Sequence, residues 1–377
     1  MYLIVLLILV LLALLSIKSR IPDWVILLVM AVITLMMCFR FGQGTDYFGY
    51  FYNFVQLNSF SDLFTAPDVH GEIGFRVLCC LFPGEHFQAF IACVSVYEML
   101  MFWLFLRQHS CNKALSLLLF YPTFFLVYYL SALRQGIVLA TFMGLGIDLI
   151  ERKQWLRYAA LCVLMATVHT ISLVWLIVPF VLMLRTNILL IALPAAIAVG
   201  LVSASNFFLN AVNRIGFLRS MIAPYLGNGI SISAFSERLA SLSVILLLYL
   251  TCYRGKQREH WWMKVYLAGH ILFFVLASSQ QLSGRLMANF KILEIMIVPD
   301  LLSKKSLYRQ LLTPYFILLS LLMFVHNINA SISQGQYLNT NVLSYPYVST
   351  FDQDKLWALR ESDRYYENAL RILQASD

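Results

Sequence analysis

On one set of alternate loops ahead of its C-terminal tail, this chain uses only arginine as its basic residue: Arg40, Arg76, Arg134, Arg214, Arg219, Arg238 and Arg285. A guanidinium is planar, always charged and able to donate two parallel hydrogen bonds, so several at one face can hold a pyrophosphate. Arg134, in SALRQG, and Arg285, in LSGRLMANF, stand at the starts of apolar segments and are the first choices as pyrophosphate ligands. Arg40, just before FGQGTDY, and Arg214 and Arg219, ahead of APYLGNG, are the second choices. The competing role for each is that of an interfacial anchor whose head reaches lipid phosphate. The absence of lysine favours a site for the set as a whole.

Chemistry at a hydroxyl also needs a group to take its proton. Asp46 in GTDY, Glu72 in GEIGF and His169 in ATVHTIS are the candidates, each near the same boundary. Asp46 has a competing role in capping a helix, and a helix-end histidine is more often a hydrogen-bonded interfacial residue. Thr170 and Ser172 are placed to hold the His169 ring or to cap a helix. Tyr47, Tyr50 and Tyr225 can pack on sugar faces, although a membrane aromatic belt explains them better. Glu98 and the Lys291/Glu294 pair, one helical turn apart, read as structural ties inside apolar segments before they read as proton carriers. GQG is no dinucleotide fingerprint, since Tyr47 occupies the third glycine position. No Ser-His-Asp order, HExxH or Walker motif appears, and the seven cysteines form no CxxC, so neither a cofactor nor a metal is expected.

Something must hold these residues at one face. Of 377 residues, 60% are apolar and 12% charged, too few to coat a soluble globule of this size, so the bilayer is the solvent for most of the chain. A formal charge of +8 raises nucleic acid as a partner, but the basic residues lie in short clusters between apolar runs, which excludes it. Apolar spans fall near 2–17, 24–39, 86–106, 114–130, 136–150, 156–169, 171–184, 188–204, 239–253, 263–279, 286–302 and 311–328, giving an all-α, polytopic membrane protein of about 12 transmembrane helices. The first of them reads as a retained span and not as a cleaved signal peptide. Lys18, Arg20, Arg107, Lys113, Arg152, Lys153, Arg157, Arg185, Arg254, Lys256, Arg258, Lys264, Lys304, Lys305 and Arg309 share one side, which the positive-inside rule makes cytoplasmic. Both termini are then external (N-out/C-out). So are the loops 40–85 and 205–237 of a single transmembrane domain, 1–328, and the tail 329–377. Tyr47, Tyr50, Phe51 and Phe54 follow helical spacing and suit an interfacial helix. In the tail, Leu356, Leu359, Tyr366, Leu370 and Leu373 make an amphipathic stripe expected to pack on the same face.

The ordered set R-x-G-x-G-T-D-Y from Arg40 to Tyr47, GEIGF from Gly71, SALRQG from Ser131, VHTIS from Val168 and GR-x-x-x-x-F from Gly284 to Phe290 resembles the EpsG-like branch of the Wzy polymerases. These are bacterial membrane proteins that build O-antigen, capsule or exopolysaccharide chains. The resemblance covers about residues 1–300. It implies an enzyme of the inner membrane, a metal-independent glycosyltransferase with its active site on the external side. A growing glycan is moved from undecaprenyl pyrophosphate to the terminal sugar hydroxyl of an incoming lipid-linked repeat. Undecaprenyl pyrophosphate leaves, which calls for a positive pocket and a base. The implied partners are the two lipid-linked oligosaccharides, membrane lipids and a chain-length regulator protein. Sugar identity is expected to be read by the 205–237 loop and the tail. An O-antigen ligase would use the same arginines with another acceptor, whereas a flippase would favour midplane charges and an internal repeat, which this sequence lacks.

Overall fold

The structure, a computed structural model, describes residues 1–57, 59–65, 69–82, 86–203, 232–253, 257 and 259–376. Among the described residues all regular structure is helical, apart from one isolated antiparallel bridge between Arg40 and Ser349. Five helices are long and apolar enough to cross a membrane: Phe87–His109, Leu133–Glu151, Thr186–Ser203, Ile232–Cys252 and Ser306–Gln334. Six shorter apolar helices, Tyr2–Leu15, Asp23–Cys38, Lys113–Tyr129, Trp155–Ala166, Thr170–Met183 and Trp261–Val275, lie where further spans are expected. The expected span 286–302 falls instead on two helices, Gln280–Lys291 and Glu294–Ser303, parted at Ile292 and Leu293 by tight i→i−3 turns. The chain divides into two compact units, Met1–Ser172 with Lys305–Asp377, and Leu173–Lys304.

In the first unit the apolar helices run between two polar ends. At one end Lys113 Nζ pairs with Asp23 Oδ1 at 2.7 Å, Asn112 Nδ2 donates to Ser16 Oγ at 2.9 Å, and His109 Nδ1 lies 3.6 Å from Glu151. This end also carries Lys18, Arg20, Arg107, Arg152 and Lys153. At the other end the Thr45 N–H donates to Ser131 Oγ at 2.8 Å, the Gly74 N–H to the Thr167 carbonyl at 2.7 Å, and the Phe41 N–H to the Val348 carbonyl at 3.0 Å. The motif segments 40–47, 71–75, 131–136 and 167–172 therefore gather at this second end because the helices between them span the unit. In lipid the backbone must satisfy its own hydrogen bonds, which fixes those helices as rigid spacers between the two ends.

Helix Tyr47–Val55 crosses the second end. Its aromatic face packs on protein, unlike the membrane belt expected of Tyr47 and Tyr50: Tyr47, Tyr50 and Phe54 are buried, and Phe51 meets Phe87 at 5.1 Å and Tyr366 at 6.0 Å. The partner surface comes from the tail. The Phe41–Val348 and Thr350–Phe39 backbone hydrogen bonds pin the tail beside the 39–41 segment, Leu356 is fully buried, and Trp357 stacks on Phe48 at 5.6 Å. Helix Arg364–Ser376 then lies against Tyr47–Val55, burying Ala369 while Leu370 stays exposed. Of the expected stripe, Tyr366, Leu370 and Leu373 lie on this helix, Leu356 on the short helix Asp354–Trp357 and Leu359 in the turn after it.

The second unit contains a buried charged cluster. Glu237 pairs with Lys291 and with Arg238, while Glu294 accepts hydrogen bonds from Tyr266 Oη at 2.7 Å and Ser241 Oγ at 2.9 Å. Lys291 and Glu294 are therefore not tied to each other. The break at Ile292 and Leu293 removes the continuous turn that would stack them, and each finds its partner on a neighbouring helix. Of the 205–237 loop, residues 205–231 lie outside the described residues, and 232–237 are the first turns of helix Ile232–Cys252.

Candidate functional site

One carboxylate organises the second end of the first unit. Glu72 Oε1 accepts from the Thr170 N–H at 2.9 Å and from Thr170 Oγ1 at 3.1 Å, and His169 Nδ1 lies 3.1 Å from the same oxygen. Glu72 Oε2 receives Arg134 Nη1 at 2.5 Å. Partial burial acts to raise the Glu72 pKa, but the Thr170 N–H, the His169 ring and the Arg134 charge outweigh it and hold the carboxyl down at about 2. Glu72 is thus an anion at neutral pH. As an anion it accepts a hydrogen from His169 Nδ1, and a neutral imidazole in that position carries its lone pair on Nε2. The guanidinium also reaches the Tyr50 phenol and lies 5.9 Å from the centre of the Phe75 ring.

Each motif has a geometric reason at this point. In GEIGF, a Cβ on Gly74 would stand 2.8 Å from the Thr167 carbonyl oxygen and collide with its hydroxyl, so only glycine lets this turn dock close enough for Glu72 to reach Thr170. In GQGTDY, Gly44 has φ +95 and passes against Leu130 and Ser131, with a Cβ falling 2.9 Å from Ser131 Cα. Arg134 is delivered by a change of helical pitch. Tyr121–Tyr129 is π-helical, and the Leu130 and Ala132 amides bond five residues back to Phe125 and Val127, before helix Leu133–Thr141 begins. VHTIS supplies two of the three residues bonded to Glu72, whereas Ser172 bonds the Cys162 carbonyl at 3.1 Å and does not hold the His169 ring. Thr170 likewise binds Glu72 and not the ring.

A cavity of about 540 Å³ opens beside this cluster, within the range of small-ligand sites. Arg134 and Tyr50 form part of its wall, together with Thr45 and Asp46 just before helix Tyr47–Val55, Tyr52 and Asn53 within it, His70, and Asp363 and Tyr365 from the tail. Glu72 and His169 stand behind Arg134 and are partly exposed, at 18% and 15%. Asp46 is exposed and accepts from Thr45 Oγ1 at 3.1 Å. It precedes the helix without a side-chain capping bond.

The remaining candidates lie elsewhere. Arg40 is fully enclosed, donates through Nη1 to the Met37 carbonyl at 3.5 Å, and faces the buried Glu98 electrostatically; it is outside the cavity wall. Glu98 is not tied by a hydrogen bond, since neither of its carboxylate oxygens has a partner among the described residues. Arg76 donates to the Gly71, Leu63 and Val69 carbonyls and so shapes the loop that carries Glu72. Arg285 is exposed on helix Gln280–Lys291 of the second unit. Arg214, Arg219 and Tyr225 lie outside the described residues. Sequence reasoning missed four residues of the cavity wall: His70 and Asn53, which meet through the His70 N–H and Asn53 Oδ1 at 3.3 Å, and Asp363 and Tyr365, whose place depends on where the tail folds; no local pattern in the sequence reports either contact.

The arrangement offers a cation at a polar cavity, hydrogen-bonded through one carboxylate to an imidazole of defined tautomer. That combination can oppose a developing negative charge and take a proton within one site. The model of the EpsG family matches residues 23–347 of the chain. No curated protein and no solved structure matches it.

Proposed function

This chain belongs to the EpsG family, and from that membership and the geometry around Glu72 we propose that it polymerises lipid-linked glycan repeat units at the external face of a bacterial inner membrane. The family supports a polysaccharide-polymerase type of activity, and the apolar helices support a membrane protein. The observation that carries the reading is the meeting of GEIGF, SALRQG and VHTIS on one carboxylate, with GQGTDY fastened alongside through Thr45 and Ser131.

In the proposed reaction the terminal hydroxyl of a lipid-linked repeat attacks the anomeric carbon of a glycan carried on undecaprenyl pyrophosphate. The new C–O bond forms as the bond to pyrophosphate breaks, and that electron pair leaves with undecaprenyl pyrophosphate. The hydroxyl proton passes to His169 Nε2. Glu72 never needs to titrate: its low pKa makes it a poor base and a good positioning group, fixing the imidazole on one side and the guanidinium on the other. Arg134 opposes the charge on the departing pyrophosphate with the part of its fork that Glu72 does not occupy. Asp46, on the cavity wall, orients the acceptor hydroxyl. A chain-length regulator would act on this enzyme from outside the site.

Deleting the gene in its host and resolving the lipid-linked glycans on a gel tests the reading. Accumulated single repeats support a polymerase. Long lipid-linked chains with no surface glycan indicate a ligase, and precursor trapped in the cytoplasm indicates a flippase; either would overturn it.

A further inference from the structure

The EpsG match ends at residue 347, yet the cavity does not. Two of its wall residues, Asp363 and Tyr365, come from beyond that point and reach the site only because the tail folds back. Resting on the polymerase reading, we infer that residues 348–366 form the wall of a sugar subsite, with Asp363 and Tyr365 binding the glycan and not the pyrophosphate.

The chemistry of this wall suits a carbohydrate. A pyranose ring offers hydroxyls that both donate and accept at its edge, and an apolar C–H face. Tyr365 is 54% exposed and stands 5.8 Å from Tyr52, ring centre to ring centre, the two rings inclined at 47° and both on the cavity wall, where either can offer an apolar face. Beside it, Asp363 and Asn53 provide acceptors and an amide donor, the pairing that vicinal hydroxyls require. The tail lines the cavity with Asp363 and Tyr365 and adds no cation to that lining, Arg360 being turned to Asp363, so this wall suits a neutral sugar better than a phosphate.

The wall is also held in place. Asp363 Oδ2 receives Arg360 Nη2 at 2.9 Å, and Oδ1 receives the Tyr365 N–H at 2.9 Å. Each oxygen keeps lone-pair capacity for a ligand hydroxyl, because an ionised carboxylate has about four acceptor positions. Arg360 is itself fixed, its guanidinium 5.6 Å from the Phe48 ring centre and 5.7 Å from that of Tyr337. The Leu338 N–H to Leu359 carbonyl bond, at 2.7 Å, anchors the turn that presents all three residues. A segment this firmly attached, outside the part shared with the family, can differ between relatives and change which repeat is accepted without disturbing Glu72.

The test uses the full chain in lipid nanodiscs and two probes: the lipid-linked repeat extracted from a host strain lacking the gene, and undecaprenyl pyrophosphate alone. Asp363→Asn and Tyr365→Ala should each weaken binding of the lipid-linked repeat by about tenfold, the effect expected for one hydrogen bond to a charged group or one aromatic contact. Binding of undecaprenyl pyrophosphate should stay at the wild-type value. Tyr365→Phe, which keeps the ring, should retain most of the repeat affinity. Unchanged repeat binding in both disruptive variants, or equal weakening for both probes, would overturn the inference. If the wild-type chain binds undecaprenyl pyrophosphate but not the lipid-linked repeat, the polymerase reading itself fails and the subsite fails with it.

Discussion

Glu72 joins a low pKa to a precise set of partners, and two predictions follow from that. Because its folded-state pKa is depressed to about 2 from an ordinary 4.5, its contribution to stability is fully present above about 4.5 and is lost as pH falls from there through about 2. Thermal melting of the wild-type protein in detergent should therefore show an acid-sensitive component in that window, and Glu72→Gln should remove that component while lowering stability at neutral pH. A melting profile identical in the two proteins would show that the carboxylate is not held as described. Arg134→Lys keeps the charge but not the fork, so it cannot serve Glu72 Oε2, the Tyr50 phenol and a pyrophosphate together. Polymerisation should drop by about 10- to 100-fold, equivalent to one or two charge-assisted hydrogen bonds. Wild-type rates at normal expression would return Arg134 to an anchoring role. Residue identity was readable at this scale, as Arg134, Glu72 and His169 each stand out by type and position. Their mutual bonding was not, since 97 residues separate Glu72 from His169 and nothing in either motif names the other.

The elements explain why these side chains meet. Helix Ile73–Cys80 can approach Thr167 only through Gly74, whose N–H donates to the Thr167 carbonyl at 2.7 Å. Gly74→Ala would place a Cβ 2.8 Å from that backbone oxygen, a contact no rotamer change relieves. The substitution should lower stability by about 1–3 kcal/mol, as overpacking does, and should separate Glu72 from Thr170 and His169. The check is the melting temperature measured together with polymerisation. A variant as stable and as active as wild type would mean that the close approach is not required. Hydropathy alone located most of the helices, because a bilayer demands long apolar runs. It could not find the break between Lys291 and Glu294, where the run stays apolar and local turns and neighbouring partners decide. Nor could it show that the aromatic face of Tyr47–Val55 is covered by the tail, because a stripe of aromatics looks the same whether it meets lipid or protein.

For the molecule as a whole, the bridge between Arg40 and Ser349 sets a parity rule. Two residues paired across a backbone bridge lie on the same side of a membrane, so an even number of crossings separates them. The ten spans expected between residues 40 and 328 obey it, and from the basic residues gathered at the opposite end of the first unit we propose that the bridge side is external. An alkaline phosphatase fusion after Gly335 should accordingly be active; an inactive fusion with an active cytoplasmic reporter at the same point would invert the site. If the Glu72-centred cluster moves glycan from one lipid carrier to another, as we propose, the full chain in nanodiscs extends purified lipid-linked repeat, and the decisive comparison is wild type against His169→Ala. The wild-type chain should build a ladder of lengthened products, while His169→Ala should fold and bind the lipid-linked repeat normally but extend it about 10²- to 10⁴-fold more slowly, the usual effect of losing a general base. Extension by His169→Ala at near the wild-type rate, or a loss explained wholly by unfolding, would show that His169 takes no proton in the transfer.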